Sequence, residues 1–177
     1  MTQSPHQDDE TWVRDAVDRF EGPLILYAGR LLASDRERAR DVVQETFLRL
    51  CDQDRQQVQT YLAQWLFTVC RNLALNVRRK ESRMTGLSAE AANRRASEQP
   101  GPQATAELRD EQSQALSLLD TLPDNQQEVI RLKFQHGLSY RQIQEVTGLP
   151  VSTVGYLIHA GLDAIRRQMS PTGADPK

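Results

Sequence analysis

Wherever the apolar residues of this chain are periodic they recur at intervals of three and four, and no alternating apolar–polar run long enough for a strand occurs. A chain patterned in this way buries its side chains helix against helix, so the expected fold class is all-α. The 177 residues do not read as one helical core. Apolar periodicity fades between Ser82 and Ala106, and Gln99-Pro100-Gly101-Pro102-Gln103 cannot continue a helix. The expected organisation is therefore two small helical domains, 11–81 and 107–169, joined by a flexible linker over 82–106 in which Ser88–Ala96 could be transiently helical. Residues 1–10 and the tail 170–177 are expected to be disordered.

In the first domain Trp12, Val13, Val17, Phe20, Leu24, Leu31 and Leu32 are helically spaced, and Pro23 after Gly22 predicts a break into two helices. Ser34 and Glu37 form an S-x-x-E capping box. The helix it would open, Asp35 to about Cys51, carries Ala39, Val43, Phe47 and Leu50 on one stripe, with Asp41, Gln44, Glu45 and Leu48 off it. Residues 52–58 read as a polar loop. A further helix from about Thr60 to Arg79 is dense in apolar residues (Leu62, Trp65, Leu66, Val69, Cys70, Leu73 and Val77), with Trp65 and Leu66 read as core. It ends in Arg78, Arg79, Lys80 and Arg83, with Glu81 the only acid among them.

In the second domain Leu116, Leu119 and Leu122 precede a break at Pro123. Asp124 and Asn125 are the expected cap of a helix carrying Val129, Ile130, Leu132 and Phe134, ended by Gly137. Ser139 and Gln142 form a second capping box, Gly148-Leu149-Pro150 a tight turn, and Ser152 to Gln168 a last helix. A short capped helix, a glycine turn and a longer helix make a helix-turn-helix. Val154, Ile158, Leu162 and Ile165 form the buried stripe of its second helix. Ser152, Thr153, Tyr156 and His159 point off that stripe, where a helix lying in a major groove would present them to base edges.

Lys and Arg total 22 against 24 Asp and Glu, a formal net charge of −2. That excludes a protein that holds nucleic acid by bulk electrostatics; local basic patches or a partner must supply the affinity. Cys51 and Cys70 make neither a disulfide framework nor a metal site, and His6, His136 and His159 are not placed to add ligands. No phosphate loop, nucleophile elbow or catalytic triad arrangement occurs, so neither an enzyme nor a bound cofactor is expected. No apolar run is long enough to span a bilayer, and the polar, acidic MTQSPHQDDE lacks the pattern of a signal peptide, so a cytoplasmic protein without membrane insertion is expected.

Two segments together resemble a known family. DVVQETFLRL (Asp41–Leu50) followed by YLAQWLFTVCRNLALNVRRK (Tyr61–Lys80) resembles the second region of bacterial sigma factors, and LDTLPDNQQEVIRLKFQHGLSYRQIQEVTGLPVSTV (Leu119–Val154) resembles their fourth region. Their order and separation are similar to the extracytoplasmic-function group. The resemblance implies a factor that binds core RNA polymerase and directs initiation at promoters. It implies that Asp41, Gln44, Glu45 and Phe47 meet a coiled coil on the polymerase clamp. Arg71, Asn72, Asn76, Arg78, Arg79 and Lys80 would recognise and open the −10 element, and Arg141, Ser152, Thr153, Tyr156 and His159 would contact the −35 element. The polymerase flap and an anti-sigma factor are further partners to be expected on this basis.

The last helix departs from the family pattern. Where relatives repeat Lys or Arg, this chain has Thr153-Val154-Gly155-Tyr156-Leu157-Ile158-His159-Ala160-Gly161-Leu162, with basic residues only at Arg166 and Arg167. Either −35 contact is weak, with Lys133 and Arg141 assisting Tyr156 and His159, or Leu157, Ala160 and Gly161 pack on a protein partner. The alternative of a stand-alone helix-turn-helix regulator is disfavoured, because the five basic residues between Ser113 and Gln168 are matched by five acids.

Overall fold

The computed structural model describes residues 5–85 and 117–169, and every regular element among them is helical. They fall into an N-terminal and a C-terminal unit. The greater part of the expected linker, including Ser88–Ala96, lies outside the described residues, as do Leu116, residues 1–4 and the tail 170–177.

The N-terminal unit is built from α1 (Pro5–Leu31), α2 (Arg36–Cys51), the one-turn α3 (Arg55–Val58), a 3₁₀ turn (Gln59–Tyr61) and α4 (Leu62–Thr85). The three long helices pack on one another. Two expectations for α1 fail. It starts within the segment read as disordered, and it runs through Pro23 without a break. Proline removes a backbone donor and costs a helix interior about 3 kcal/mol. Downstream of it Leu24, Tyr27 and Ala28 are buried in the core, and burying three such side chains outweighs that cost.

The turn after α1 also differs from the expected capping box. Ala33 and Ser34 both take positive φ, at 52° and 65°, closing α1 with a 2.7 Å bond from the Ser34 amide to the Gly29 carbonyl. Ser34 thus terminates one helix instead of starting the next. Asp35 caps α2, its carboxylate accepting from the Arg38 amide at 3.1 Å. The stretch read as a loop over 52–58 contains α3, capped by Asp54, with Val58 turned into the core.

Ala39, Val43, Phe47 and Leu50 of α2 are buried as the periodicity requires, together with Val42 and Thr46. They meet α4, whose Leu66, Phe67, Cys70 and Ala74 are fully buried. Leu66 is core as expected, whereas Trp65 is half-buried. Tyr27 of α1 sets its ring edge-on to Phe67, with centroids 5.1 Å apart. The Cys70 thiol lies beside the Thr46 hydroxyl, and burial pushes its pKa up to about 12.

The C-terminal unit comprises a helical turn at 117–120, α5 (Asp124–Phe134), α6 (Tyr140–Thr147) and α7 (Val151–Met169). Pro123, not Asp124 or Asn125, occupies the N-cap of α5, and no side chain caps it. Hydropathy and burial part company here. Phe134, expected on the apolar stripe, is 60 % exposed, while Arg131 is buried. The guanidinium is accommodated because its Nη2 donates to the Asp120 carboxylate at 2.7 Å and its Nη1 to Gln135 at 3.4 Å. Gln127 braces the same segment by donating to the Leu122 carbonyl at 2.8 Å.

The Ser139–Gln142 capping box is complete: the Ser139 hydroxyl accepts from the Gln142 amide at 3.3 Å, and the Gln142 side chain accepts from the Ser139 amide at 2.9 Å. Gly148 takes φ 75° and ends α6 with a 2.7 Å bond to the Gln144 carbonyl, so the chain reverses at once into α7. Packing of α7 on α5 depends on Gly161. A Cβ there would come within 2.5 Å of Ile130 Cδ1 and 3.2 Å of Leu122 Cδ1. At Gly155 the nearest neighbour of such an atom is Tyr140 Cε2, at an ordinary 3.6 Å.

One outcome is expected for the glycines and two for the cysteines. In chemical denaturation Gly161→Ala loses roughly 1–2 kcal/mol through overpacking, whereas Gly155→Ala retains or gains up to about 1 kcal/mol from helix propensity. In the native protein a thiol reagent modifies the exposed Cys51 within minutes and leaves Cys70 untouched until the chain unfolds. Because the Cys70 pKa is raised in the fold, the native thiol keeps its proton where the unfolded one has lost it. Its contribution to stability is intact below about pH 8.5 and declines as pH climbs from there towards 12. Peptide mass spectrometry after labelling checks the first statement, and pH-dependent unfolding of wild type against Cys70→Ala checks the second.

Candidate nucleic-acid interface

The outward face of α2 follows from its inward one. With Ala39, Val43 and Leu50 buried, a helix of 3.6 residues per turn must turn Asp41, Gln44, Glu45 and Leu48 away from the core. Asp41 and Gln44 are exposed and Glu45 is partly so. Glu45 accepts from Arg49 Nε at 3.0 Å, one turn on, an exposed pair contributing only a few tenths of a kcal/mol. A basic partner can displace Arg49 at little cost.

Phe47, grouped with these three on the family pattern, is instead buried. Its ring anchors α2 in the core and sets the orientation of the stripe without belonging to it. Leu48 occupies the exposed place, with 56 % of its surface accessible between the acidic and amide side chains. Its spacing from Asp41, Gln44 and Glu45 was a signal for this position that the family motif does not contain.

Helix α4 presents the opposite charge. Asn72, Asn76, Arg79 and Lys80 are exposed, while Arg71 and Arg78 are half-buried at its flanks. Positions 72, 76, 79 and 83 fall on one side of the helix, a stripe about 16 Å long. Because α4 continues to Thr85, beyond the expected end, Arg83 extends this stripe by a turn. Near the start of α2, Arg38 bonds to Glu81, the one acid in the cluster, and also to Asp35 at 3.2 Å. Engagement of Glu81 by Arg38 leaves the outer stripe of α4 basic.

In the helix-turn-helix, Val154, Leu157, Ile158 and Gly161 are buried, and Ser152, Tyr156 and His159 are exposed with Thr153 half-exposed. The Gly161 contacts with Ile130 and Leu122 place that residue in the core of its own unit, and Leu157 is buried as well, so these two do not form an outward docking face for a partner. Arg141 is exposed in the first turn of α6. Ser139 is occupied in the capping box. Of the basic side chains counted in the C-terminal unit, Arg131 is spent inside the fold, Arg166 is paired with Asp163 at 2.9 Å, and Lys133 Nζ lies over the Tyr140 ring at 5.4 Å. Among the described residues no cluster of His, Cys, Asp or Glu could hold a metal ion, and no helix is long and apolar enough to cross a membrane.

Comparison with known proteins gives a consistent picture. Residues 16–84 match the family model for sigma-70 region 2, and residues 107–165 match that for sigma-70 region 4. The chain is 32% identical over 145 residues to the ECF RNA polymerase sigma factor EcfG of Rhodopseudomonas palustris, covering 81% of this chain and 78% of that protein. It is 29% identical over 170 residues to the ECF RNA polymerase sigma factor SigW of Bacillus subtilis, covering 91% and 90%. With RpoE of Cereibacter sphaeroides, also an ECF RNA polymerase sigma factor, identity is 26% over 149 residues. An acidic helix and a basic helix end in one unit, a helix-turn-helix in the other, matches to both sigma-70 regions and relatives that are ECF sigma factors lead to one conclusion: this chain belongs to the extracytoplasmic-function family of RNA polymerase sigma factors, which direct transcription initiation at promoters.

Proposed function

We propose that the two units divide the work of promoter recognition. The α2 stripe of Asp41, Gln44, Glu45 and Leu48 docks on a basic helical surface of core RNA polymerase, the clamp coiled coil in the family pattern. Carboxylates give charge-assisted hydrogen bonds to such a surface, and the leucine among them removes apolar area from water. The α4 stripe captures the −10 region. Its arginines and lysine neutralise phosphates, and Asn72 and Asn76 can pair with the edges of unstacked bases. Tyr156, His159, Ser152 and Thr153 of α7 meet the −35 element, with Arg141 on an adjacent phosphate. The chain acts by binding and not by catalysis, in the cytoplasm, where polymerase and promoters are. A protein that covered the α2 stripe would act as its anti-sigma factor.

The observation that carries this reading is the opposite charge of two outward faces on helices that share one core. A net charge of −2 suits a factor whose grip on DNA is borrowed from a larger partner.

Two experiments test it. The double reversal Asp41→Arg, Glu45→Arg retains the helical circular dichroism of the wild type and weakens association with core polymerase by at least about tenfold; unchanged association in the folded variant would remove the docking assignment. The triple variant Arg79→Ala, Lys80→Ala, Arg83→Ala keeps polymerase binding and lowers promoter opening. It also reduces the salt dependence of opening, by about 2 in the slope of log K against log salt concentration. A slope equal to that of wild type would exclude these three residues from the DNA path.

A further inference from the structure

The stretch Val151–Leu162, which forms the first three turns of α7, contains no Lys, Arg, Asp, Glu, Asn or Gln. Those six types carry the side chains that pick out one base by hydrogen-bond pattern in the major groove, whereas Ser and Thr bond to any of them. Arg and Lys pair with guanine, Asn and Gln with adenine, and Glu and Asp with cytosine. Arg166 is ten residues beyond Tyr156, about 15 Å along the axis, and is held by Asp163. It cannot reach the base pairs under Tyr156. Arg141 and Lys133 belong to helices other than α7; in a helix-turn-helix the helix before the recognition helix crosses the phosphate backbone.

Apart from the His159 imidazole, what α7 presents outward is apolar and hydroxylic. Tyr156 is 71 % exposed, the most prominent side chain on the face. Thr153 lies one turn before it and Ala160 one turn after, both half-exposed, with Val151 exposed at the helix start. The one base-edge feature that such a surface recognises and the other groups do not is the thymine methyl, which takes apolar contact from methyl-bearing and aromatic side chains.

We infer that this sigma factor reads its −35 element chiefly through thymine methyl groups, with Tyr156 as the principal specificity-determining residue and Thr153 assisting. The inference rests on the reading of α7 as the helix that enters the major groove. It makes Tyr156 a base-reading residue, and it leaves guanine without the bidentate Arg or Lys partner that usually reads it.

The test uses holoenzyme reconstituted from the full chain and core polymerase. A promoter library randomised at −35 and −10 first supplies the preferred elements, and each −35 thymine is then replaced by deoxyuridine, which pairs identically but lacks the methyl. The expected library returns thymine on one strand or the other at the −35 positions that matter. Deoxyuridine there weakens promoter binding about fivefold, the low end of what one base contact contributes. In Tyr156→Ala, whose exposed site leaves the fold intact, the same replacement has no further effect, while Tyr156→Phe keeps most of the discrimination. A guanine-dependent −35 element, insensitivity of the wild type to deoxyuridine, or an equal loss in Tyr156→Ala overturns the inference. If promoter-dependent initiation continues from the −10 element under any of those results, only the assignment to thymine falls. If the chain and core polymerase give no promoter-dependent initiation, the proposed function fails and this inference with it.

Discussion

The burial of one stripe of α4 is the contact on which the N-terminal unit depends. Leu66, Phe67, Cys70 and Ala74 lose all exposure to water between α1 and α2, and Phe67 is held edge-on by Tyr27. A helix so anchored has no freedom to rotate. Its opposite side, with Asn72, Asn76, Arg79, Lys80 and Arg83, is therefore aimed by apolar packing and not by interactions of the polar groups themselves. Helix α2 repeats the logic with Phe47 and Leu50 inside and Asp41, Gln44 and Leu48 outside. Two charged faces of opposite sign follow from one hydrophobic core.

The C-terminal unit sets its recognition helix by close approach. Gly161 admits Ile130 and Leu122 to the backbone of α7, and Gly148 turns the chain into that helix within three residues. These two glycines fix the position and entry angle of α7, and the face left outward is nearly uncharged. The burial of Arg131 against Asp120 reduces the basic charge on offer further. A unit of this kind cannot hold DNA tightly unaided, because counterion release from phosphates supplies most non-specific affinity.

Much of this was legible from periodicity. The all-α class, the core stripes of α2 and α4, the Ser139–Gln142 capping box and the Gly148 turn follow from local rules, in which a residue's role depends on neighbours three or four positions away. The outward placement of Asp41, Gln44, Asn72, Asn76 and Tyr156 follows from the same rules. Where long-range contacts compete, local rules mislead. Pro23 reads as a break, yet packing on either side carries α1 through it. Phe134 reads as core and Arg131 as surface, yet the reverse holds because Asp120, eleven residues away, supplies a partner for the guanidinium.

The amino-acid sequence by itself determined the helical class, the charge pattern and the family, since each is set by residue type and spacing along the chain. Only the tertiary structure decided which glycine is a packing contact, that Arg131 is buried while Phe134 is exposed, and that α4 carries Arg83 into the basic stripe. Those outcomes depend on atoms from distant segments meeting within a few ångströms, and spacing within a single helix does not record which neighbour will be there.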